Sequence, residues 1–90
     1  MNSLEEAKSY KKILDKEGLT QDELAKKIGV SQSTIANKLR LLNLTSEAQD
    51  ALMNDKISER HARSLLSVTD PEKQKALLNK VISERLTVRQ

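Results

Sequence analysis

Apolar positions recur along this chain every three or four residues, separated by short polar breaks, and the repeat predicts five or six short helices. Leu4, Ala7, Tyr10, Lys11 and Leu14 share a face of a first helix over Ser3 to about Lys16, with Glu5 and Glu6 placed favourably at its positive end. Thr20 followed three residues later by Glu23 is a capping box, which satisfies amides left free at a helix start. The second helix then presents Leu24, Ala25 and Ile28 on one side. Gly29 supplies the positive φ of a sharp turn, and Ser31 can cap the next helix. In that third helix Ile35, Leu39 and Leu42 fall at i, i+4 and i+7 and point back towards the second.

The remainder is read in the same way. Asn43 and Leu44 connect to a helix capped by Thr45 or Ser46, which carries Ala48, Leu52 and Met53 inward and ends at Asn54 and Asp55. Ser58 caps a segment with Ala62, Leu65 and Leu66 as its apolar side and Arg60, His61 and Arg63 near its beginning. Asp70 and Pro71 start a last helix, since Asp caps and proline at the first position loses no needed hydrogen bond. It places Ala76, Leu77, Val81 and Ile82 inward and runs to about Arg85. The expected fold class is all α, a bundle of short helices containing a helix-turn-helix.

Residues 20 to 42 give the richest signal. On a wheel centred on Ile35 the outward positions are Ser33, Asn37 and Arg40, flanked by Gln32, Thr34 and Lys38. Base edges in a DNA major groove pair with side chains of this kind. Small Ala25 and Ala36 suit close helix approach, and Gln21, Ala25, Gly29 and Ile35 follow the helix-turn-helix order. Lys38 stands where such motifs are often apolar, and Leu39 can supply the core contact. An ordinary helical hairpin also has a polar outer face, so the sign of the charge decides. Residues 24 to 46 contain Lys26, Lys27, Lys38 and Arg40 and no acid, whereas residues 1 to 23 hold four basic and six acidic side chains and residues 47 to 90 hold eight and seven. A local positive excess is the footprint of phosphate contact.

Composition narrows the classes. Ninety residues with 37% hydrophobic content suit one small domain over 1–90. Without cysteine there is no disulfide framework or thiolate metal site, and the single His61 makes no metal site of a usual kind; it reads as a packing or phosphate contact. No apolar run nears the roughly 20 residues that span a bilayer, and the acidic start does not suit a secretory signal, so the expected setting is cytoplasmic. Tyr10, read as core, is the one aromatic residue, which argues for duplex DNA over single strands held by base stacking. No glycine-rich phosphate loop or catalytic dyad is present, so neither enzymatic activity nor a cofactor is expected. The ending LTVRQ reads as a chain cut inside a longer protein, because Leu86 and Val88 have no evident partner.

The segments LEEAKSYKKILD, GLTQDELAKKIGVSQSTIANKLRLLNL and ISERHARSLL, in this order and spacing, resemble the DNA-binding domain of the ParB family of bacterial chromosome partition proteins. QSTIANKLRLL and ERHAR are closer to its nucleoid occlusion branch, Noc, than to the partition branch, which usually has glycine where Arg60 stands. Ser3 and Leu4, often Pro-Ile in relatives, and Asn43, often lysine in the occlusion branch, depart from the pattern.

The resemblance implies a palindromic double-stranded site bound by two copies, each with its recognition helix in a major groove, and a homodimer in the full-length protein. It assigns base reading to Gln32, Lys38 and Arg60, and phosphate contact falls to Ser31, Ser33, Thr34, Asn37, Arg40 and Arg63. Gln can bond adenine bidentately and Lys or Arg guanine, each good pair discriminating by about 1 to 3 kcal/mol. Full-length relatives bind and hydrolyse CTP in a preceding domain and reach the membrane through an N-terminal amphipathic segment. Neither is read in these residues, for which no membrane contact is expected, and the location implied is the nucleoid. Three readings remain distinct: occlusion-type DNA binding with partition-type centromere binding as its near alternative, a generic transcriptional regulator using the same motif, and a helical protein-interaction module.

Overall fold

In the computed structural model of the chain, which describes the backbone of residues 2–89 and the side chains of residues 2–85, a first helix α1 spans Ser3–Glu17. Asn2 starts it by accepting the Glu5 amide hydrogen, and Gly18 ends it at φ 66°. Helices α2 (Gln21–Ile28) and α3 (Gln32–Arg40) follow, then a 3-10 turn at Leu41–Asn43, α4 (Ser46–Met53), α5 (Glu59–Leu66) and α6 (Pro71–Arg89). No strand occurs among the described residues. The chain forms two compact units, residues 1–42 and 43–90.

In the first unit α1 and α2 both pack on α3. Leu24, Ala25 and Ile35 form a buried cluster, with Tyr10, Ile13, Leu14 and Leu39 packed around it. Full burial of a side chain such as Ile35 contributes about 1.5 to 3 kcal/mol, which is why so short a helix holds its place. The expected capping box is present: the Thr20 hydroxyl accepts the Glu23 amide hydrogen at 3.2 Å, and the Thr20 amide donates to the Glu23 carboxylate at 3.0 Å. Two bonds at the start of an eight-residue helix supply what its own backbone cannot.

Several residues sit differently from the wheel. Ile28 and Met53, read as inward, are 42% and 38% exposed; each closes its helix, where no following turn covers it. Lys11 stays exposed and pairs with Asp15 at 3.4 Å, while Ile13 takes up the core contact. Past Arg40 the chain leaves α-helical spacing, so Leu41 is fully buried and Leu42 only half-buried.

In the second unit α5 packs on α6, and α4 packs on both. Thr45, rather than Ser46, caps α4, and Leu44, Ala48, Ala51, Leu52, Ile57, Ala62, Leu65 and Leu78 are buried. Asp70 accepts the Glu72 amide hydrogen at 3.2 Å, and Pro71 opens α6 as its composition requires. That helix continues to Arg89, beyond the Arg85 expected. Its inward residues also differ: Ala76 is exposed, Leu77, Val81 and Ile82 are half-buried, and Gln74 and Leu78 are buried. The expectation about Leu86 and Val88 concerns side chains outside the described residues.

Candidate nucleic-acid interface

The turn between α2 and α3 is made by Gly29, at φ 77°, with the amide hydrogens of both Gly29 and Val30 bonded to the Ala25 carbonyl at 2.9 and 3.0 Å. A side chain at Gly29 would meet nothing within 4 Å, so glycine is needed there for its dihedral freedom alone. The turn delivers Ser31 as the cap of α3. Its hydroxyl accepts the Thr34 amide hydrogen at 3.2 Å and lies 3.1 Å from the Ser33 hydroxyl and 2.8 Å from that of Thr34.

Three hydroxyls therefore gather at the positive end of α3. Its first turn carries no acid, whereas the first turn of each other α-helix holds at least one. A helix start without a carboxylate leaves its amide dipoles available to an outside anion, and hydroxyls there add donors. Gln32 and Ser33 are exposed on this first turn, Asn37 is half-buried one turn on, and Arg40 is exposed at the last turn.

Lys38 departs from this surface. Its side chain is 16% exposed, its ammonium lies 3.6 Å from the Glu6 carboxylate, and it donates to the Ser3 hydroxyl at 3.4 Å. The wheel reading put Lys38 beside the outward face, but three residues after Ile35 it lies on the flank of the buried side, one helical turn from the core, and its four-carbon stem carries its charge to α1.

Arg60 and Arg63 belong to α5 in the second unit. Both are exposed, and Arg63 pairs with Glu59 one turn back at 3.7 Å. Between them His61 has a role that its sequence position left open. The Ser58 amide donates to its Nδ1 at 3.1 Å, and the His61 amide donates to the Ser58 hydroxyl at 3.2 Å, so the imidazole completes a capping box for α5. Because Nδ1 accepts, the ring hydrogen sits on Nε2. The usual partner at this position is Glu or Gln, which is why the box is invisible to a motif search; a serine three residues before a histidine at a helix start is the signal that would find it.

Helix, glycine turn, helix and a hydroxyl-rich, acid-free leading edge define a helix-turn-helix domain. The chain belongs to the ParB HTH domain family, which matches it over residues 1–90. It is 50% identical over all its 90 residues to a nucleoid occlusion protein of Shouchella clausii, covering 32% of that protein, and 49% identical, with the same coverage, to the nucleoid occlusion protein of Bacillus subtilis. The chain thus spans about a third of the length of the curated relatives it matches. Among solved structures it is similar to a C-terminally truncated chromosome-partitioning protein ParB of Caulobacter crescentus complexed to the centromeric parS site, with a TM-score of 0.83, 40% identity and coverage of 99% of this chain and 46% of that one. A DNA-binding domain of ParB complexed to parS matches with a TM-score of 0.84 at 40% identity, covering 99% of this chain and 71% of that one. The family is one of helix-turn-helix domains.

Proposed function

We propose that residues 1–90 act as one sequence-specific domain for double-stranded DNA, of the nucleoid occlusion type, with α3 as the recognition helix in the major groove. What supports this most is the leading edge of α3, where three hydroxyls and the helix amides meet without a carboxylate in the first turn. The similarity to ParB domains solved on parS gives the same reading a template.

In this reading Gln32 and Arg60 read bases, and Lys38 joins them by leaving Glu6. Ser31, Ser33, Thr34, Asn37, Arg40 and Arg63 hold phosphates and set the register. Two copies occupy the halves of a palindrome, the homodimer belonging to the full-length protein, which works in the cytoplasm on the nucleoid. These residues recognise DNA and carry no catalytic step. They also leave the membrane to other parts of the protein; no helix among the described residues is long and apolar enough to cross one.

Selection from randomised duplexes is expected to enrich a two-fold palindrome, and recovery of unrelated sequences would overturn the reading. Gln32→Ala should weaken the selected site by roughly 5- to 150-fold, the equivalent of about 1 to 3 kcal/mol, while affecting random DNA much less. Arg40→Ala should weaken both alike. Arg60→Gly should move the preference towards a partition-type palindrome, and an unchanged preference removes Arg60 from the base-reading set.

A further inference from the structure

Four polar side chains of the first unit meet where α1 packs on α3. The Tyr10 hydroxyl donates to Glu6 Oε2 at 3.5 Å, the Lys38 ammonium lies 3.6 Å from Glu6 Oε1, and the same ammonium donates to the Ser3 hydroxyl at 3.4 Å. Both oxygens of the Glu6 carboxylate are thus engaged, one by the chain's single aromatic residue and one by a cation of the proposed recognition helix. Glu6 is about one-third exposed and Lys38 half as much, so the pair is screened less than the other ion pairs of α1 and α2, whose partners are 43% to 79% exposed.

We infer that Glu6 is a positioning residue that competes with DNA for the Lys38 ammonium, so that the first turns of α1 set how much of Lys38 a duplex obtains. The inference rests on the DNA-binding reading above and adds a residue to it that no base or phosphate touches. A lysine stem is flexible enough to swing from a carboxylate to a nearby phosphate or guanine edge. When it does so, the carboxylate left behind draws a cation from solution. That uptake offsets about one of the cations released from DNA by the lysine, and it appears in the salt dependence of binding.

The test is Glu6→Gln in the folded chain, with affinity for the selected duplex measured across salt concentrations. The variant keeps a side chain of equal size for Tyr10 to bond but loses the charge. Expected are binding tighter by about two- to fivefold at low salt, the range of a partly exposed ion pair, and a salt slope steeper by up to about 0.9 per copy. Glu5→Gln, one residue earlier and exposed, measures the general effect of one less negative charge on α1. In a Lys38→Met background Glu6→Gln should do no more than Glu5→Gln does. A Glu6→Gln effect equal to that of Glu5→Gln, or one that still exceeds it in Lys38→Met, overturns the inference, as does weaker binding by Glu6→Gln at unchanged melting temperature. Failure of the DNA-binding reading itself is distinguishable, because it appears in the unsubstituted chain as a lack of site preference.

Discussion

Thr20 and Glu23 exchange two hydrogen bonds across the first turn of α2, and that exchange makes Glu23 a reporter of the helix. The Thr20 amide, then the Thr20 hydroxyl, hold the Glu23 carboxyl below its usual value of 4.5. A carboxyl whose pKa is lower in the folded chain than in the unfolded one adds stability at pH above the unfolded value, and the addition is lost as pH falls through the folded value. Urea denaturation of the chain and of Glu23→Gln should therefore show the balance between them moving in favour of Glu23 as pH rises from about 3 to about 6. A difference that stays constant across that window would mean that the carboxylate makes no bond specific to the folded helix. The pair was legible from sequence because both residues are of the kinds that capping selects. His61 does the same work for α5 and was not legible, because an imidazole serves only through one nitrogen in one tautomer, a geometric fact that composition does not carry. Lys38 is the converse case. Counting it with the outward residues overlooked that a residue three positions after Ile35 lies on the flank of the buried face, where its stem reaches Glu6 of α1.

At the scale of elements, Gln74 ties together three pieces of the second unit. Its side-chain oxygen accepts the Thr45 amide hydrogen at 3.2 Å, ahead of α4, and its nitrogen donates to the carbonyls of Leu65 and Val68, at and beyond the end of α5, at 3.2 and 3.0 Å. Those carbonyls lie where a helix has run out of its own donors. Polarity alone does not predict a glutamine that is only 6% exposed, and it runs the inward stripe of α6 through Ala76 instead. The spacing held the answer, since Gln74, Leu77, Leu78, Val81 and Ile82 fall at i, i+3, i+4, i+7 and i+8, which is one helical face. The helix boundaries themselves were largely readable, because Thr20, Gly29, Ser31, Ser58 and Pro71 each impose a local geometry that no distant contact needs to confirm. Gln74→Leu would keep the volume and leave at least the Thr45 amide without its partner. An orphaned buried group costs about 1 to 3 kcal/mol, so a loss near 2 kcal/mol in urea denaturation is expected. A change below about 0.5 kcal/mol would mean that water replaces the glutamine without cost.

For the whole molecule the question is where the positive charge can act, and distance along the chain answers it incompletely. Residues 24 to 46 hold four cations and no acid in sequence, yet three of the four find carboxylates supplied from earlier in the chain: Lys26 with Asp22 at 3.2 Å, Lys27 with Glu17 at 2.9 Å and Lys38 with Glu6. Two of those pairs lie on or beside α2. Arg40, exposed at the last turn of α3, is left as the cation of that segment best placed for phosphate. Folding thus gives three of the four cations a carboxylate neighbour and sets Arg40 at the exposed end of α3. In the proposed complex of two copies each phosphate-bound arginine would contribute about 0.9 to the slope of log affinity against log salt. Arg40→Gln should flatten that slope by nearly two, with Lys26→Gln changing it by much less than one, because its charge is already answered by Asp22. Titrations of the same duplex at several salt concentrations separate the two, and equal flattening by both substitutions would mean that DNA is drawn to the net charge of the segment rather than to the geometry of α3.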